Sequence, residues 1–170
     1  MQQGRRATAL PHLTTLDKAA IYYYTDDGYE ALNRQLHASG GHHDTLFGQG
    51  LAIALAKLPA YVGVVSSGVR LRPEELRHYR ARAEDGQPID WPAFLSTSRK
   101  ASIARQYTRS PPNGVLFVIQ SRTGRLIEEI SKFGVDGQNE YEVLFIPHTQ
   151  FQVLEVAAET GYTRIVLDEL

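Results

Sequence analysis

An α+β domain is the fold class this 170-residue sequence predicts. Three runs with helical spacing fill the first third of the chain, and short strand-like runs bounded by turn residues fill the last. Length adds a bound, because a chain of this size buries roughly 70% of the surface it exposes unfolded, enough for one core. The expected organisation is therefore a linker-like stretch over 1–13 followed by a single domain over 14–170.

Thr14 and Asp17 have the spacing of a capping box, and Leu16, Ala19, Ala20 and Tyr23 follow on one helical face. The polar run 25–28 predicts an interruption. Tyr29, Leu32, Asn33 and Leu36 then mark a second helix that Gly40 and Gly41 end. Residues 46–57 are rich in alanine and leucine and stop before Pro59, a third and well-buried helix. Val62, Val64 and Val65 predict a short strand ending at Ser66, Ser67 and Gly68. Pro73 suits the first position of a charged helix over 74–82. A turn at 85–88, a strand over 94–98 and a helix over 100–107 come next, before a breaker at 110–114. The strand set closes with 115–119, 125–130, 141–146, 151–156 and 162–167, expected to pack as two sheets with helices outside.

Composition removes several function classes. Eighteen basic against nineteen acidic residues leave a net charge of −1, so no global field grips nucleic acid or an anionic membrane. With no cysteine, disulfide scaffolds, thiolate metal sites and cysteine nucleophiles are excluded. Neither a phosphate-binding glycine loop with lysine nor a dinucleotide glycine fingerprint is present. No run is long enough for a signal peptide or a membrane-spanning helix. A soluble cytoplasmic domain, or a piece of something larger, is expected.

The most unusual segment is 134–147, where a glycine-containing loop delivers Glu140 and Glu142 to the start of an apolar strand. Residues two apart in a strand face one way, with α-carbons roughly 6.5–7 Å apart. Both carboxylates would share the side of Leu144 and Ile146, where mutual repulsion and desolvation raise a pKa and suit acid–base work or stabilisation of a cation. A solvated edge strand explains the same spacing, and spacing alone favours that plainer reading. Ser96, Thr97 and Ser98 leave their strand as alternating hydroxyls able to aim a neighbouring carboxylate; a helix cap at Thr97 or Ser98 is the simpler account. His42, His43 and Asp44 invite a metal, but adjacent histidines do not readily reach one ion and no second ligand cluster completes a site, so a polar loop is expected. Arg70, Arg72, Arg77, Arg80 and Arg82 interleave with Glu74, Glu75 and Glu84, a solvated face with internal ion pairing.

In order along the chain, the segments 21–36, 58–68, 94–98 and 130–153 resemble the mono-ADP-ribosyltransferase family. The branch they most resemble is marked by an arginine, a Ser-Thr-Ser strand and a Glu-x-Glu loop. The similarity runs from about Ile21 to Val156, and the two late motifs are its specific part. It implies a split two-sheet core with N-terminal helices and a cleft that takes NAD as co-substrate, without a metal. By resemblance, Glu142 is the catalytic glutamate, Glu140 the acceptor-side glutamate and Ser96 the serine that positions Glu142. Thr97 and Ser98 support the cleft, and Phe133 packs near the nicotinamide. The family's arginine, which clamps the NAD pyrophosphate, falls on Ser67 ahead of Gly68, so either Arg70 or Arg72 takes its place, the phosphate is held differently, or activity is lost. The resemblance further implies a bacterial toxin domain, secreted and acting in the target-cell cytoplasm. It would modify a protein arginine, or secondarily RNA, and travel with an immunity protein. An NAD glycohydrolase and an inactive binding module on the same scaffold are the alternatives.

Overall fold

The computed structural model describes residues 2–108 and 114–170, so most of the breaker expected at 110–114 lies outside the described residues. The first surprise is at the amino end. Within the stretch expected to be linker-like, Gln2–Thr8 form helix α1, and Leu13 enters the core at 5% exposure. Arg6 lies over the Tyr22 ring at 5.0 Å and donates to the Ser131 carbonyl at 3.0 Å, fastening α1 to a distant loop. Neither a cation–aromatic contact nor a side-chain-to-carbonyl bond across 125 residues leaves a periodic trace in sequence.

Helix α2 (Thr15–Tyr23) begins with the expected capping box between Thr14 and Asp17. The polar run 25–28 does not end it. Tyr24–Gly28 instead form a π-helical turn, with the Tyr29 N–H reaching the Tyr24 carbonyl, and α3 (Tyr29–Ser39) continues directly. A π turn inserts one residue into the helical count, which carries Tyr24, Thr25 and Tyr29 to one cleft. Gly40 caps α3 with φ 61°, a left-handed conformation that glycine adopts without penalty. Helix α4 (Leu46–Ala56) buries Leu51, Ala54 and Leu55 against α2.

Strand β1 (Gly63–Arg70) runs two residues past its expected end, because it pairs along its full length with β4 (Gly114–Ser121). Between them come α5 (Pro73–Asp85), β2 (Ile89–Trp91), β3 (Leu95–Ser98) and α6 (Ala101–Gln106). Strand β2 was not legible, since three residues are too few to show a period. After β4 follow β5 (Arg125–Leu126), β6 (Glu142–Phe145), β7 (Thr149–Glu159) and β8 (Tyr162–Glu169). The strand expected over 125–130 shrinks to two residues because Ile127–Ser131 turn back on themselves through Ile130 and Ser131 N–H bonds to the Ile127 carbonyl.

These strands form one sheet in the order β2-β7-β8-β4-β1-β3-β6-β5. The expected pair of sheets takes a different form. Strands β1 and β3 share a single residue pair, Ser66 with Ser98, so two sheet halves diverge from one point. Side chains alternate along β6: Leu144 joins a core with Ile21, Leu36, Leu51 and Leu55 under the first helices. Val143 and Phe145 join the opposite core with Phe117, Phe151 and Ile165. Residue 142 therefore faces the helix side together with Leu144.

Helix α6 packs onto β1 at Gly68, where a β-carbon would collide with the Ala104 carbonyl and stand 2.7 Å from the Tyr107 β-carbon. Gly68→Ala is expected to cost about 1–3 kcal/mol through overpacking. That corresponds to a fall in Tm of roughly 2–12 °C for a chain of this size. Calorimetry giving an unchanged Tm would show that α6 yields freely.

Candidate active site

Where the two halves part, a cleft of about 450 Å³ opens, within the ~300–1,000 Å³ usual for small-molecule sites. Residues from both halves line it: Ser67 and Gly68 from β1, Ser96, Thr97 and Ser98 from β3, and Phe133, Glu140 and Glu142. Eight of the ten residues that the resemblance assigns to the site thus meet in one place.

Glu142 is 7% exposed. Burial pushes its carboxyl up to about 7, and the neighbouring charge of Glu140 adds to the rise. Hydrogen bonds from Ser96 and Ser131 oppose the shift by favouring the charged form; the Ser131 hydroxyl stands 3.4 Å from Oε2. Glu140 reaches the cleft by another route than simple strand alternation. The strand begins only at Glu142, and Tyr141 has φ 52°, a left-handed backbone rare for a non-glycine residue. Lys100 holds Tyr141 there, its Nζ 3.7 Å from the ring centroid, while the Tyr141 N–H donates to Asn139 Oδ1 at 2.8 Å. Such strain persists where surrounding contacts over-determine it.

The three β3 hydroxyls have separate tasks. Ser96 bonds Glu142. Thr97 donates to the Val143 carbonyl at 2.6 Å. Ser98 donates to the Glu140 carbonyl at 2.6 Å and accepts the Lys100 N–H at 3.0 Å, so it tethers the Glu140 segment and supports the start of α6 at once. Ser67 donates to the Ser96 carbonyl at 2.7 Å, tying β1 to β3 beside their junction. The loop leading to the glutamates is anchored as well, with the Lys132 N–H on Thr25 at 2.9 Å and Lys132 ion-paired to Asp26.

Arg70 and Arg72 stand elsewhere. They line a neighbouring depression that meets the cleft at His37, Val69 and Trp91. Arg72 precedes α5, where its guanidinium is drawn to Glu74 at 3.2 Å and Glu75 at 3.3 Å. Arg70 is exposed at the end of β1. Among the described residues, the cleft lining contains two carboxylates and neither lysine nor arginine.

Sequence reading missed Tyr24, Asn33 and Tyr107 as site residues. Asn33 Nδ2 donates to the Tyr24 hydroxyl at 3.0 Å, its Oδ1 accepts the Phe94 N–H at 3.1 Å, and the Tyr24 hydroxyl lies 3.4 Å from Ser96 Oγ. Burial raises the Tyr24 phenol pKa, so it stays a neutral partner. The available signal was a lone asparagine on the otherwise apolar and aromatic face of α3. Tyr107 gave none.

A buried carboxylate held by two hydroxyls, with a second carboxylate nearer the mouth, is equipped to stabilise a cation forming on a bound ligand. The chain belongs to the NAD:arginine ADP-ribosyltransferase family, whose sequence model matches residues 6–170. It is 31% identical over 162 residues to the protein-arginine ADP-ribosyltransferase Tre1 of Serratia proteamaculans, covering 93% of this chain and 33% of that protein. The chain spans less than two thirds of the length of the sequence relatives it matches. Among solved structures, ADP-ribosyltransferase Vis of Vibrio splendidus in complex with agmatine superposes with a TM-score of 0.75 at 22% identity, over 99% of this chain and 80% of that one. Exoenzyme S of Pseudomonas aeruginosa, bound to carba-NAD in complex with a human 14-3-3 protein, gives 0.72 at 24% identity, over 99% and 81%.

Proposed function

We propose that this chain cleaves NAD and transfers ADP-ribose to a guanidinium nitrogen of a protein arginine, releasing nicotinamide. The observation that supports it most is Glu142: a buried carboxylate, hydrogen-bonded by Ser96 and Ser131, in a cleft shared with Glu140. As the bond from the ribose C1′ to the nicotinamide nitrogen breaks, its electron pair leaves with nicotinamide and positive charge builds on the sugar, as in glycoside hydrolysis. Glu142 stabilises that charge and holds a ribose hydroxyl. Glu140 then receives the proton lost by the guanidinium nitrogen as it bonds to C1′. Agmatine in the Vis complex carries a guanidinium, and carba-NAD in the exoenzyme S complex is an NAD analogue, which supports both substrate assignments.

The setting we infer is a bacterial toxin or effector domain, delivered from a larger polypeptide and active in a target cell, with an immunity protein that plugs the cleft. Among the described residues no helix is long and apolar enough to cross a membrane. One observation favours a second reading, a non-catalytic binding module: the lack of a lysine or arginine among the described cleft residues.

The test supplies NAD labelled in its adenylate to the purified chain and a cell lysate, with protease- and nuclease-treated controls. A protease-sensitive labelled band is expected, lost in Glu142→Ala. A nuclease-sensitive band would instead identify RNA as acceptor, and nicotinamide release without a labelled band would identify a glycohydrolase. No turnover by wild-type or variant would support the binding module.

A further inference from the structure

We propose that Tyr107 is a positioning residue that holds the Glu140 carboxylate toward the acceptor and so sets how much ADP-ribose goes to a guanidinium rather than to water. The proposal rests on the reading of Glu140 given above.

The backbone around Glu140 is already fixed. Its N–H donates to the Phe133 carbonyl at 2.8 Å, and its carbonyl accepts the Ser98 hydroxyl at 2.6 Å. What these bonds leave free is the side chain. Among the described residues, the hydrogen-bond donor to that carboxylate is the Tyr107 hydroxyl, 3.2 Å from Oε1. One oxygen is thereby occupied, and the other remains for an incoming N–H. Tyr107 itself is well placed to serve as a fixed post. It caps α6, its N–H bonding the Ala104 carbonyl at 3.1 Å, and its β-carbon rests over Gly68. Burial and the adjacent Glu140 charge both raise its pKa, so it remains a donor through the neutral range.

The ring has a second use. Tyr107 is 56% exposed, Tyr29 47% and Phe133 37%, and all three line the cleft that holds Glu140. Exposed aromatic faces beside a carboxylate form a surface that attracts a planar cation such as guanidinium. In the transfer step the nitrogen–C1′ bond forms, the N–H bond breaks, and the proton passes to Glu140. Water could take the same place, but the rings favour the flat cation and a fixed carboxylate favours its N–H geometry.

The experiment uses the full chain, NAD and agmatine, and measures ADP-ribosyl-agmatine and free ADP-ribose together across pH. Tyr107→Phe keeps the ring and removes the hydroxyl. It is expected to lower the ratio of adduct to free ADP-ribose about tenfold, with the loss in kcat for agmatine and little change in its KM. Tyr107→Ala is expected to raise that KM as well. Glu140→Gln should lower the ratio at least as far as Tyr107→Phe does. An unchanged ratio in Tyr107→Phe beside a collapsed one in Glu140→Gln overturns the role of Tyr107 alone. Adduct and hydrolysis falling in parallel in Tyr107→Phe would reduce Tyr107 to a structural part, with the same consequence. A full ratio in Glu140→Gln, or no nicotinamide release by the wild type, overturns the underlying reading of the site.

Discussion

Glu142→Gln is expected to lose about a thousandfold in NAD cleavage while becoming the more stable protein at alkaline pH. The two effects share one cause. The carboxylate is placed where charge is useful to the reaction and unfavourable to the fold. Its pKa in the folded chain is about 7, against an ordinary value of 4.5. A raised carboxyl pKa means that the folded state holds its proton more tightly, so the associated stability is fully present below pH 4.5 and lost as pH rises through 7. At 1.36 kcal/mol per unit, the wild type gives up about 3 kcal/mol by pH 8.5 that glutamine, without a charge, retains. Thermal unfolding should therefore show the Tm advantage of the variant growing from pH 5 to 8.5, by on the order of 10 °C. A constant difference across that range would mean that Glu142 is solvated in the folded chain.

Activity should show the reverse dependence. If, as proposed, the ionised form stabilises the cation, kcat/KM for NAD should rise with pH around an apparent pKa near 7, the value for the free protein. On the proposed reading, bound NAD brings a positive nicotinamide ring beside Glu142, which favours ionisation, so the limb in kcat should fall lower. Ser96→Ala removes a hydrogen bond that favours the charged form and should move both limbs upward.

The fold explains why such a carboxylate exists at all. Alternation along β6 puts residue 142 on the face of Leu144, and the helix pair joined by the π turn covers that face. The sequence carried most of these ingredients. Apolar alternation showed the strands, the Thr14–Asp17 box showed α2, and Gly40 showed the end of α3. What it could not carry were features built from single contacts: the π turn, whose polar residues look like a break; β2, too short to show a period; the turn at 127–131 that cuts β5 short; and the left-handed Tyr141, held by the distant Lys100 cation and the nearby Asn139. In the site, residues recognisable by type and order converged, whereas Tyr107 meets Glu140 through one long-range bond. Arg70 and Arg72 lie outside the cleft itself. Nearness in sequence suggested that they could serve the cleft, but a strand end and a helix-capping interaction take them next door.

On the proposed reading, the dinucleotide's pyrophosphate enters a cleft whose described lining contains Glu140 and Glu142 and neither lysine nor arginine. Two phosphate charges approaching two carboxylates should bind weakly, and Ser67 is where a guanidinium could reach them. Its hydroxyl is committed to the Ser96 carbonyl, and it is 6% exposed. Ser67→Arg thus loses one hydrogen bond and crowds the β1–β3 junction, a cost of about 1–2 kcal/mol that should lower Tm by several degrees. In return, charge-assisted bonds to phosphate should lower the KM for NAD about tenfold or more. Ser67→Lys, a point charge without the planar fork, should recover only part of that gain. Rising salt should erode the advantage of both, as it screens charge. If folded Ser67→Arg instead shows an unchanged or higher KM, the pyrophosphate is not held beside β1, and its binding must be sought on the other wall of the cleft.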